Sequence, residues 1–298
     1  MLHQALRENP AIQAAVRLLT DDDERVVRMC RRRILAWGGL AQRELETAAL
    51  DPDPRLRVRA RAALRSIELD VWVRSFADEV AKARETGGGP AVLESGMRKL
   101  VGFSGLGDGD LVAFDAALDE LAEQLRAVTS GRTSRTAARH ISHVLGVRLA
   151  LRGSRRMPKD RRAWLPDRVL ESRRGPAAVI AGLYLLIGRR AGLQLSGVLL
   201  PEFVVVRVHG RRRRVLVDPY HEGRTVTRHD CLRYLRRMER FGAGSAHRSL
   251  VDVDDADVLD RILEDLILLH DRPEHGEVRD ALRAARASLE PALGRRFG

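Results

Sequence analysis

Cysteine is scarce in this chain. Cys30 and Cys231 are the only two in 298 residues, too few for a disulfide framework or a thiolate zinc site. Aromatic residues make up 4%, so a core must be built from Leu, Val, Ile and Ala. Long apolar runs are missing too. The longest, Ala177 to Ile187, falls short of the roughly 20 residues that span a bilayer. Met1 to Ile12 contains Arg, Glu and Pro and no apolar block, so no signal peptide is expected. These absences lead us to expect a soluble cytoplasmic protein with no membrane partner. Lysine is nearly absent: only Lys82, Lys99 and Lys159 interrupt an otherwise all-arginine set of 53 basic residues. One further gap is local. From Arg173 to Leu195 there is no Cys, Ser or Thr.

What is present suits a globular protein of one large domain or two to three small ones. Hydrophobic residues are 44%, charged residues 32%, and the net charge is +12. Arginine-rich codon usage explains the positive charge most simply. An anionic partner such as nucleic acid is the alternative. The densest stretches are Arg152 to Arg162 and Arg211 to Arg214, the latter expected as a solvated hairpin turn after His209-Gly210. The arginines are spread along the whole chain, which does not promise one continuous positive face.

Residues 11 to 67 carry a weak internal repeat. Asp21-Asp22-Asp23-Glu24-Arg25-Val26 and Asp51-Pro52-Asp53-Pro54-Arg55-Leu56 are offset by thirty residues, and the same offset pairs Cys30 with Ala60 and Ile34 with Leu64. Asp23 and Asp53 are expected to cap helices, with Pro54 at a first helical position. Cys30 is then a buried small residue. The pattern resembles two stacked HEAT-like helical repeats. A third helix is expected over Leu69 to Arg84, with Gly87-Gly88-Gly89-Pro90 breaking it as a linker. Leu111, Phe114, Leu118, Leu121 and Leu125 fall on one helical face, preceded by a loop from Gly105 to Asp110. Ser134 to Leu145 reads as another helix. Its His140 and His143 lack a third ligand nearby and are expected as ordinary surface or core histidines. Leu165 to Leu170 opens a short helix. Leu195 to Leu200, Phe203 to Val208 and Arg214 to Asp218 read as antiparallel strands. Asp230 to Arg240 is expected as a helix, and Ala256 to His270 and Val278 to Leu289 as a terminal helix pair.

Three blocks stand out. An apolar helix from Ala177 follows Arg173-Arg174-Gly175-Pro176. Then comes Leu200-Pro201-Glu202-Phe203-Val204-Val205-Val206-Arg207, and then Leu216-Val217-Asp218-Pro219-Tyr220-His221-Glu222-Gly223-Arg224. In this order they resemble the core of the transglutaminase-like superfamily, most of all its SirB-type branch. The ending resembles a shortened tetratricopeptide-like region. The resemblance implies an α+β, mostly helical protein whose papain-like core holds a small antiparallel sheet flanked by helical repeats. It implies segments at 1–86 (HEAT-like), 91–250 (core) and 251–298 (tetratricopeptide-like). The Ala177 to Arg190 helix should pack against the sheet.

In that superfamily a Cys at the helix start, a His before the second strand and an Asp ending the third work together. The helix dipole and a nearby imidazolium stabilise the thiolate, and Asp orients His. Here the resemblance places Ala177 at the Cys position, and Pro201-Glu202 where the SirB-type branch keeps Gly-His. Asp218 remains. The site is therefore expected to be degenerate at Ala177, Glu202 and Asp218, with no catalytic residues, no metal and no cofactor. Glu202 and Asp218 are expected on adjacent strands facing Ala177. Arg173, Arg174 and Arg224 flank the cleft, where they could hold a carboxylate or phosphate. Gly175 is expected to supply an unusual backbone angle. A protein partner is favoured, with a small-molecule ligand as a further option. Two other readings compete. One is a hydrolase using a remodelled Glu202–Asp218 pair. The other is a nucleic-acid-associated basic protein. A rearranged pairing of Cys231 with His221 or His229 is the least favoured chemistry.

Overall fold

The computed structural model describes residues 10–87, 89–103, 109–211, 213–239 and 250–289. The chain divides into two compact units, Met1–Arg74 and Ser75–Gly298. Helices dominate, and among the described residues the strands form two small sheets of the second unit. The protein is α+β and mostly helical.

The first unit contains α1 (Pro10–Arg17), α2 (Glu24–Trp37), α3 (Gln42–Ala48) and the opening of α4 (Pro54–Gly87). The thirty-residue offset has a physical basis in two equivalent turns. Asp21 Oδ1 accepts from the Asp23 amide at 2.8 Å, and Asp51 Oδ1 accepts from the Asp53 amide at 2.8 Å. Asp23 and Asp53 then accept from the amides of Arg25 and Arg55, each at 2.8 Å. Each closes the first turn of its helix. Cys30 and Ala60 are both buried, in a core with Ile12, Ile34, Leu45 and Ala63. One boundary differs from the sequence reading. The helix expected at Leu69 is the continuation of α4, because Ser66-Ile67-Glu68-Leu69 contains no Gly or Pro to stop it.

In the second unit α4 ends at Gly87 and α5 (Gly89–Val101) begins two residues on. The expected break lies there, although Gly88 is outside the described residues. Of the loop expected at Gly105 to Asp110, residues 105–108 are also outside them. Asp110 caps α6 (Leu111–Thr129), accepting from the Ala113 amide at 2.9 Å. The short α7 (Ser134–Ile141) runs on into a wider turn, Ser142–Arg148. A two-residue strand β1 (Arg152–Gly153) precedes α8 (Pro166–Ser172) and pairs in parallel with β2 (Arg174–Gly175). Neither strand is long enough to show periodicity in sequence.

The central element is α9 (Ala177–Arg190). Every residue from Ala178 to Gly188 is buried, as befits a helix that is apolar all round. It packs against α6 and against β3 (Leu195–Leu199) and β4 (Val204–Val208). These strands continue through β5 (Val215–Asp218) and β6 (Arg224–Val226) as a four-stranded antiparallel sheet in chain order. The other face of the sheet, through Val198, Val205 and Leu216, packs on Cys231 and Leu235. Both belong to α10 (Arg228–Glu239), since Arg240 lies outside the described residues. All five residues of β4 are buried because both of its faces are covered.

The last elements are α11 (Asp255–Leu269) and α12 (Gly276–Ala287), with residues 290–298 outside the described set. In the second unit α11 packs on α5 and α9. Arg189 ties the end of α9 to α11, donating to Asp255 at 2.5 and 2.7 Å. Arg190 donates to Glu94, Asp115 and Asp119 at 2.5, 3.0 and 2.8 Å. Cations in the last turn also complement the helix dipole.

Candidate functional site

The candidate site draws on the start of α9, the end of β5 and the Pro219–His221 turn, which packs on α9. Ala177 is the first residue of α9, behind an extended Pro176 that makes no side-chain cap. The first amides of a helix have no intrahelical acceptor, so this end presents free N–H groups and a positive dipole. The turn before it is built differently from expectation. The left-handed residue is Arg173, with φ 62°, and Gly175 is not among the positive-φ residues. Gly175 is needed for space: a Cβ there would sit 2.6 Å from a Val169 methyl.

Asp218 is buried and closes β5. The following Pro219 starts a single tight turn, Pro219–His221, and Asp218 caps it. Its Oδ1 accepts from the His221 amide at 3.3 Å. Its Oδ2 accepts from His221 Nδ1 at 2.8 Å and from Arg224 Nε at 3.1 Å. An ionised carboxylate only accepts, so Nδ1 carries the hydrogen and Nε2 is left as an acceptor. This is the tautomer and the orienting contact that a general base requires. Pairing of His221 with Asp218 was not anticipated. The Asp-Pro-x-His spacing carried the signal, since a proline-initiated turn capped by Asp brings the residue three positions on back over the cap.

The wall around this pair is aromatic. Tyr220 lies against β1, where a Cβ on Gly153 would meet its ring at 2.0 Å. Ring centroids of Phe203 and Tyr220 are 5.0 Å apart, Tyr220 and His221 5.1 Å, and Phe203 and His221 5.6 Å. Burial raises the Tyr220 phenol, while Arg155 opposes through its charge and a hydrogen bond. Beneath lies Tyr184, fully buried on α9, donating to the Leu151 carbonyl at 3.2 Å. Burial, then the charges of Asp218 and Glu222, push its phenol far up. Glu222 is itself left-handed, with φ 58°, and pairs with Arg152.

Glu202 does not sit where it was expected. It is exposed in the bend between β3 and β4, not on a strand, and accepts from the Tyr234 hydroxyl at 3.4 Å. The Tyr234 phenol is pushed up to about 12, by burial first and by the charge of Glu202. Glu202 and Asp218 share no hydrogen-bond partner among the described residues. Arg224 lies against Asp218, while Arg173 and Arg174 are exposed on either side of the turn before α9.

No thiol is at hand. Cys231 packs in the sheet–α10 core, and burial first, then Asp218 and Asp230, raise its pKa. Cys30 is buried in the other unit, and burial likewise raises it. His229 and His143 are exposed and His140 is half-buried. Among the described residues no group of three or more His, Cys, Asp or Glu could hold a metal ion.

A second cluster imitates a serine triad and lacks its logic. Ser196 Oγ donates to Asp252 Oδ1 at 2.6 Å and lies 2.8 Å from His209 Nε2. The hydroxyl hydrogen is committed to Asp252, so Nε2 must donate to Ser196 and cannot take its proton. Arg207 also donates to Asp252 at 2.5 Å. Burial first lowers the His209 pKa; Asp252 opposes this, while Arg214 and Arg207 lower it further.

A cleft of about 640 Å³ lies between α6 and α8, lined by Phe114, Leu121 and Leu170 with Asp167 and Arg173. No helix among the described residues is long and apolar enough to cross a membrane. No curated protein and no solved structure matches the chain. Residues 113–264, just over half of it, match the family model described as the transglutaminase-like superfamily.

Proposed function

Because the chain belongs to the transglutaminase-like superfamily, we propose that it is a non-catalytic member, a pseudoenzyme that serves as a binding or scaffold module in the cytoplasm. The observation that carries this reading is Ala177. It is the first residue of α9, a helix that packs on the Pro219–His221 turn where Asp218 holds His221, and it puts a methyl where the resemblance places a nucleophile. No Cys, Ser or Thr lies between Arg173 and Leu195, and both cysteines are buried.

We further propose that the chain is of SirB type, that its first helices are HEAT-like, and that α11 and α12 are a shortened tetratricopeptide-like ending. Repeated helical pairs are used to present extended surfaces, so a protein partner is the favoured one. The cleft between α6 and α8 offers room for a small molecule. The competing hydrolase reading needs Glu202 and Asp218 to converge. Glu202 is engaged by Tyr234 and Asp218 by His221 and Arg224, which leaves that reading without support.

The test is an assay of the purified chain for protease, amidase and acyl-transfer turnover, before and after thiol alkylation. The expected result is no thiol-dependent turnover. Turnover abolished by alkylation, with protection by substrate, would defeat the proposal and point to Cys231 or Cys30.

A further inference from the structure

We infer that the face formed by α7 and the β4–β5 connection binds the phosphodiester backbone of a nucleic acid. Arginines far apart in sequence meet here. Arg132, Arg135 and Arg139 are spaced to share one side of α7 and its lead-in, and all three are exposed. The β4–β5 connection brings Arg211, Arg213 and Arg214, also exposed. The two groups are tied together, since Ser134 Oγ donates to the Arg213 carbonyl at 2.8 Å.

Two clefts open on this face and share Arg135. One, of about 1080 Å³, is lined by Arg132, Arg135, Arg211 and Arg213. The other, of about 660 Å³, is lined by Arg135, Arg139, Arg207, Arg214 and Arg228. Neither has an Asp or Glu among its lining residues. Among the described residues only Arg207 of this set has a carboxylate partner, Asp252. Elsewhere in the same unit Arg189, Arg190, Arg224 and Arg286 are each paired with acids. Unpaired like charges held together call for an anion from outside.

The chemistry of that anion follows from the arrangement. A guanidinium fork matches phosphate oxygens. Adjoining basic clefts with a shared arginine fit consecutive phosphates along a chain better than one free ion. Among the described residues no Phe, Tyr or Trp lines either cleft, so these residues offer bases no stacking platform. Binding should therefore be through the backbone, without sequence preference. This inference is independent of the site at Ala177, and either can fail alone.

The test is fluorescence anisotropy of the full chain with a labelled DNA duplex, a DNA strand and an RNA strand, over roughly 50 to 200 mM salt. Affinity should fall steeply with salt. The triple variant Arg132→Gln/Arg135→Gln/Arg139→Gln should bind more weakly, with a salt slope shallower by roughly 2 to 3. The equally discharged variant Arg25→Gln/Arg28→Gln/Arg32→Gln, all exposed on α2, should bind as the parent does. Unchanged melting temperatures would confirm that both variants fold. Four outcomes would overturn the inference: no binding at the lowest salt, equal loss in both variants, no loss in either, or displacement by polyglutamate as effective as by unlabelled nucleic acid.

Discussion

The Asp218 corner and the arginine face of α7 lie on the same unit and differ in how their charges are satisfied. At the corner three donors converge on one buried carboxylate. In the clefts of the arginine face seven exposed guanidinium groups have no acid partner among the described residues, while the one paired arginine, Arg207, is buried. Both look like binding chemistry in sequence. The difference teaches that a charge satisfied inside the chain contributes to the fold, while a surface charge with no acid beside it is left to solvent or to an outside anion. The Asp218 corner falls on the first side of that division and the arginines on the second.

The sharpest way to break the comparison is Asp218→Ala. It leaves the part-buried amide and Nδ1 of His221 without their acceptor, so we expect a loss of about 1 to 2 kcal/mol in urea unfolding. Arg224 is 61% exposed on its side chain and returns to water at little cost. Unchanged stability with lost ligand binding would make Asp218 a working residue and not a structural one.

Asp265 sharpens the contrast from the opposite direction. It is a half-buried carboxylate whose ion pair among the described residues is a loose one, Arg261 Nε at 3.7 Å. Burial first pushes it up to about 6, with Arg261 opposing and Glu264 adding. A raised carboxylate keeps its proton longer in the folded state than in the unfolded one, whose value is about 3.9. Stability should therefore fall as pH rises from about 4 through about 6, then level off. Asp265→Asn should remove that slope and gain about 1 to 2 kcal/mol at neutral pH. Thermal unfolding across this range, for parent and variant, checks both sign and window. A slope that survives the substitution would show that another group titrates there.

The smallest effect is expected on the arginine face. Arg132→Gln/Arg135→Gln/Arg139→Gln should leave unfolding free energy within about 0.5 kcal/mol per position. A larger loss would mean that these arginines are part of the fold, and the contrast with Asp218 would disappear.

Much of the fold was legible because its signals are local. The caps at Asp23, Asp53 and Asp110, the apolar α9 and the three hairpin strands each rest on residues within a turn or two. What escaped was long-range or too short to have a period. The β1–β2 pair spans two residues per strand. The arginine face joins positions 132–139 to 211–214, and scatter along the chain gave no hint of convergence in space. Pro201 and Glu202 were expected between two strands and form the bend there; that the Glu202 side chain meets Tyr234, 32 residues on, is a contact no local signal carries. Ala177 and Asp218 were singled out from the resemblance. The His221–Asp218 contact needed the geometry of a proline-initiated turn.

The central claim is that the chain keeps the backbone frame of a thiol site, with Ala177 at the Cys position, Glu202 at the His position and His221 held by Asp218. Ala177→Cys tests it. The rate of iodoacetamide alkylation, followed against pH, reports the thiol pKa of the introduced residue, with Cys30 and Cys231 replaced by Ala to silence them. Ala177 is half-exposed, so the reagent can reach it. A thiol at a helix start beside an imidazole should titrate at or below about 7.5, against about 8.5 for a free cysteine. His221→Ala should move it back toward the ordinary value. A thiol that titrates at about 8.5 or above, or one insensitive to His221, would mean that Ala177 does not mark the nucleophile position and that the corner at Asp218 was never part of such a site.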